Sequence, residues 1–165
     1  MPLSGRATDR LASIAIYVWI AIVVLWAGTT LINHSLETKF YKDFLLEWEV
    51  ALQRYKSEGG RWPEFSGDNQ VLYMDRLTQW MANKGMSPPL SNTERDYVYR
   101  LKRLGWPHER IFFLCFSHGM LLYGISEKTF RKLDRWIDGE ADETKGLFTG
   151  RRGKDGIAYV GALQL

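Results

Sequence analysis

The sequence predicts an α+β fold: a long N-terminal helix, transmembrane and then amphipathic, packed on a small antiparallel sheet with one or two short extra helices. Three observations predict it. Residues 11–32 carry no charged side chain. Between Asn33 and Gly59 no glycine or proline interrupts the chain, and apolar residues recur there at helical spacing. From Tyr97 the apolar period changes to two, the period of half-buried strands.

The first element is the run LASIAIYVWIAIVVLWAGTTLI. As a helix it rises about 33 Å, against a hydrocarbon core of about 30 Å. A cleaved signal peptide would have an apolar region of about 7–15 residues and small residues before the cut. Here the run is longer, and the best site, Trp26-Ala27-Gly28, puts Trp where a small residue is wanted. The expected organisation is a cytoplasmic tail over residues 1–10, a transmembrane helix over 11–32 and an extracytoplasmic α+β domain over 33–165. Arg6 and Arg10 nearly balance Lys39 and Lys42 across the run. Long domains translocate largely regardless of charge, which favours a cytoplasmic N-terminus and a body outside the cytoplasm. Ala21, Gly28 and Thr29 are small residues that permit close contact with other helices.

The helix is expected from about residue 10 to 58, bent near Gly28. Phe44, Leu45, Trp48, Leu52 and Tyr55 form its apolar stripe, with Glu37, Asp43, Glu47, Glu49, Arg54 and Lys56 on the other face. Gly59-Gly60 stops it, and Arg61-Trp62-Pro63 fixes a turn. A shorter helix is expected over 69–83, ended by Gly85. Strands follow over 97–102, 110–116 and 120–125, the last two as a hairpin. Ser126 is an N-cap for a helix to about 137. Residues 139–154 read as a polar loop, and 157–163 as a last strand.

Composition narrows the class. The chain has 165 residues, 45% apolar and 25% charged, with a formal charge of +3. It is globular, and too short for two full domains beside an anchor. So weak a charge does not argue for nucleic acid. The basic and aromatic group Tyr97, Tyr99, Arg100, Lys102, Arg103 and Trp106 reads first as one solvated strand face. A single cysteine, Cys115, excludes an internal disulfide and a zinc cluster, and its apolar flanks read as core. No phosphate loop, Gly-x-Ser-x-Gly or zinc pattern occurs. Neither His34, His108 nor His118 is spaced from another ligand on a helix. No enzyme is expected, and with it no polar pocket. The carboxylates Asp134, Asp138, Glu140 and Asp142 could together hold calcium; the plainer reading is a solvated loop. No other cofactor is expected.

The arrangement resembles the type IV pilin-like proteins, including the pseudopilins of type II secretion. An apolar helix passes unbroken into an amphipathic one. That helix ends in Tyr55-Lys56-Ser57-Glu58-Gly59-Gly60-Arg61-Trp62-Pro63, similar to a pseudopilin stretch. Leu133 to Gly139, then Gly146, Leu147 and Phe148, is similar to a pilin pattern of helix, Asp-Gly, glycine and strand. The resemblance implies a structural subunit of an envelope assembly, with the membrane, other protein subunits and copies of itself as partners. Some pseudopilins hold calcium in this region. Pilins also carry a glutamate at the fifth position of the apolar run; no glutamate lies between Leu11 and Leu36. That departure favours an alternative: a membrane-tethered accessory or sensor module that binds a partner protein without forming a filament. In either case Trp48, Trp62 and Trp106 serve the core or anchor a partner.

Overall fold

The structure, a computed structural model, describes residues 5–139, 142–153 and 158–165. Helix α1 (Gly5–Phe40) runs into a π-helical turn (Tyr41–Leu45) and then α2 (Leu46–Ser57). The three form one rod. No break falls at Gly28, where a bend is expected; the irregularity lies at Tyr41–Leu45 instead. Its cause is the spacing of the core residues. Phe40, Phe44, Trp48 and Leu52, all buried, recur every four residues, more than the 3.6 of an α-helix. One wider turn takes up the excess and keeps them in line.

The rod is exposed from Asp9 through Trp26 and again over residues 30–32. The described part of it is long and apolar enough to cross a membrane, and none of its most apolar window is buried. The aliphatic hydroxyls of this run are satisfied inside the helix. Ser13 donates to the Asp9 carbonyl at 2.9 Å, Thr29 to Leu25 at 2.8 Å and Thr30 to Trp26 at 2.9 Å. Such pairing is what a polar group needs in a medium without water.

The α+β body begins at Asn33. After α2 come α3 (Gln70–Asn83), β1 (Val98–Leu101), β2 (Glu109–Phe116), β3 (Gly119–Ile125), α4 (Glu127–Asp138), β4 (Phe148–Arg152) and β5 (Tyr159–Gln164). The five strands form one antiparallel sheet in the order β1-β2-β3-β5-β4. The alternation expected from residue 97 sets its faces. Phe113 and its partner Leu122 are buried, and Phe113 meets the rod edge-on at Phe44, ring centroids 5.0 Å apart. Helix α3 packs on β2, where the Tyr73 hydroxyl donates to the Cys115 carbonyl at 2.9 Å. Helix α4 stacks Phe130 on Phe148 and Tyr159. Its ends are those of a well-capped helix. The Ser126 side chain accepts from the Thr129 N–H, and Gly139 takes φ of 82° past the last turn.

A further expectation is overturned. Residues 148–152, expected within a polar loop, form the edge strand β4. Glycine and two arginines mask its alternation. Gly150 has a packing reason: a Cβ there would lie 2.2 Å from the Phe130 ring. The last strand starts at Tyr159; Ile157, where it was expected to begin, lies outside the described residues.

Candidate functional site at the junction of rod and sheet

Just beyond the apolar run, the rod meets the β1–β2 connection and the first turns of α4. Their polar side chains interlock there. Glu37 is 4% exposed and Arg103 5%. The Arg103 guanidinium donates from Nε to Glu37 at 2.6 Å, from one terminal nitrogen to Glu109 and from the other to the Thr129 hydroxyl. Lys132 donates to the second Glu37 oxygen. Glu109 also accepts from the Ser126 hydroxyl at 2.7 Å, the Ser126 N–H at 3.1 Å and the Thr129 hydroxyl. Both carboxylates and the guanidinium are therefore multiply bonded, the condition under which buried charge is tolerated. One turn nearer the run, the Asn33 amide exchanges two hydrogen bonds with the Leu104 backbone, at 3.1 and 2.7 Å. Trp136 packs on Tyr41 and edge-on against His34. The arrangement is a clamp: it holds the rod at fixed rotation and height against the sheet.

The sequence reading places Glu37 on the polar face of the helix and Arg103 on a solvated strand face. Both are buried, and their partners lie far away in sequence. The group around Arg103 is dispersed by the fold. The Tyr97 hydroxyl donates to Asp75 at 2.6 Å, and Tyr99 packs between Phe40 and Phe44.

The predicted stripe, Phe44, Leu45, Trp48, Leu52 and Tyr55, is core throughout. Trp48 carries a buried indole N–H without an acceptor among the described residues. The Gly-Arg-Trp-Pro stretch wraps the end of the rod. The Tyr55 hydroxyl donates to the Arg61 carbonyl at 2.6 Å, Trp62 meets the Tyr55 ring edge-on, and Pro63 is buried. A Cβ on Gly60 would lie 2.4 Å from that ring.

Of the acidic residues, Asp138 accepts from the backbone N–H groups of Leu147 and Phe148, both at 2.8 Å. Asp142 accepts from the Thr144 hydroxyl and N–H, which with Lys145 hold its carboxyl below the usual range. Asp134 is 1% exposed, and among the described residues no donor meets either oxygen in good hydrogen-bond geometry. Burial first, then the Asp138 charge, push its pKa up to about 6. Glu140 lies outside the described residues. Among the described residues, no three His, Cys, Asp or Glu side chains gather as a metal-holding group.

Ala21 is exposed on the rod and Gly28 and Thr29 are half-buried, and a Cβ on Gly28 would meet nothing within 4 Å. Cys115 is fully buried, which pushes its thiol far above the ordinary range. A polar cleft of about 570 Å³, where no polar pocket is expected, is lined by Asn92, Thr93, Glu94, Arg95, Arg100 and Arg110. Arg100 and Arg110 face each other across β1 and β2. The cleft holds neither cysteine nor histidine.

A long apolar helix leading into a rod packed on an antiparallel sheet is a pilin-like architecture. Comparison with known families, with curated proteins and with solved structures finds no match for this chain.

Proposed function

We propose that the chain is a membrane-anchored structural component of an envelope assembly of the type IV filament class. Residues 11–32 are the anchor, and the body from Asn33 onward stands at the membrane face. The observation that carries this reading is the continuity of the rod. The same helix that is exposed and uncharged over residues 11–26 becomes the central core element of the α+β body. Among the described residues none buries the most apolar window of this helix, which leaves it to lipid or other helices. Gly28 supports the second of these, since among the described residues nothing lies within 4 Å of a Cβ added there.

A specific observation favours the accessory reading beside it. No glutamate lies in the run, and the first acidic group beyond it, Glu37, is already spent on Arg103 and Lys132. A photo-crosslinker placed at Ala21 or Gly28 in native membranes tests both. A ladder of self-adducts supports a polymerising subunit. A single adduct to one other protein supports a tethered accessory module. Lipid adducts alone at both positions refute the polymerising subunit and leave an accessory module that meets its partner through the body.

A further inference from the structure

The β1–β2 connection turns two large apolar side chains outward: Leu104 is 47% exposed and Trp106 54%. Gly105, at φ of 74°, bends the chain between them, and Pro107 follows. The height of this loop along the rod is fixed. Asn33 is the first residue past the uncharged run, and its amide holds both the N–H and the carbonyl of Leu104. Leu104 is therefore level with the end of the run. Arg103, held by Glu37 one turn further on, fixes the loop from the other side. Exposed Lys128, in the first turn of α4, lies over the Trp106 ring at 4.2 Å. An apolar tip, a tryptophan and a lysine at one level match the chemistry of the bilayer interface. Tryptophan concentrates there, lysine reaches anionic head groups, and leucine gains by leaving water.

We propose that the Leu104–Trp106 loop is a second membrane contact, its Leu and Trp side chains entering the interfacial zone while Lys128 meets anionic lipid head groups. The proposal rests on the reading of residues 11–32 as the anchor. With two contacts tied together through Asn33 and the clamp, the body sits on the bilayer in one orientation instead of swivelling about the helix.

The test uses the full chain in vesicles of phosphatidylcholine with a minority of phosphatidylglycerol. An environment-sensitive fluorophore is attached at Leu104→Cys, with Trp106→Cys as the second probe of the loop. Val24→Cys, inside the apolar run, and Leu90→Cys are the references. Leu90 is 93% exposed and follows Pro89, which borders the Glu47–Arg54 part of the rod, about 20 Å or more beyond Asn33 along the helix. Cys115 is buried and takes no label. Spin-labelled lipid should quench positions 24, 104 and 106 several-fold more than position 90. Quenching at 24 with 104 and 106 no more quenched than 90 overturns the loop contact and leaves the anchor standing. No quenching at 24 removes the anchor reading, and the loop contact falls with it.

Discussion

Replacing Arg103 with methionine should unfold the clamp first and the body soon after. The substitution keeps much of the apolar stem and deletes the guanidinium. Glu37 would keep Lys132, and Glu109 would keep Ser126 and Thr129. Two nearly buried carboxylates would then lack their shared cation. Removing one member of a buried ion pair costs about 3–5 kcal/mol. For a body of roughly 130 residues, 1 kcal/mol corresponds to about 4 °C in Tm, so the loss should be about 12–20 °C. The assay is a thermal melt of the full chain in detergent micelles, followed by near-ultraviolet circular dichroism. Buried pairs are weakly screened, so the difference should persist at high salt. Glu37→Gln in the Arg103→Met background should restore part of the loss, because it removes one stranded charge. A cost below about 1 kcal/mol, the range of exposed pairs, would refute the reasoning.

Three further outcomes follow from other parts of the molecule. Gly28→Ala should leave the melt of the body unchanged or slightly raised, since a Cβ there meets nothing within 4 Å, while weakening adducts at position 21; a fall in Tm would show that Gly28 packs internally. Gly60→Ala should cost about 1–3 kcal/mol by forcing a methyl group into the Tyr55 ring, and a neutral result in the same melt would mean that the helix exit is looser than the structure shows. Asp134 binds its proton more tightly folded than unfolded, so its contribution to stability is complete below about pH 4 and lost as pH rises through about 6. Asp134→Asn should flatten that part of the stability profile and raise Tm at pH 7–8; an unchanged profile would show the carboxyl to be solvated.

Much of this fold is local enough to read from the chain. Ser126 and Gly139 mark both ends of α4, Gly59-Gly60 ends the rod, and the alternation at Val98–Leu101 and along the β2–β3 hairpin sets the sheet. The four-residue spacing from Phe40 to Leu52 contains the π-helical turn, visible once it is compared with 3.6. Strand β4 was hidden because Gly150 and the outward Arg151 and Arg152 look like loop chemistry; only the stacking of Phe130 on Phe148 explains the glycine. The clamp was hidden for a different reason. Glu37 and Arg103 stand 66 residues apart, and each looks solvated within its own element. Pairing of that kind depends on how the rod lies against the sheet, which no local pattern encodes. Asp138 shows the same limit: grouped by sequence with Asp134 as a ligand, it instead accepts two backbone N–H groups that lead into β4.

The central claim is that the exposed apolar helix is a permanent anchor continuous with the core of the body. Its most direct test is the intact mass of the chain recovered from native membranes that have been washed with alkaline carbonate. The account predicts a carbonate-resistant chain whose mass retains residues 11–32. A carbonate-soluble form, with a mass showing a cut near Ala27-Gly28, would contradict it.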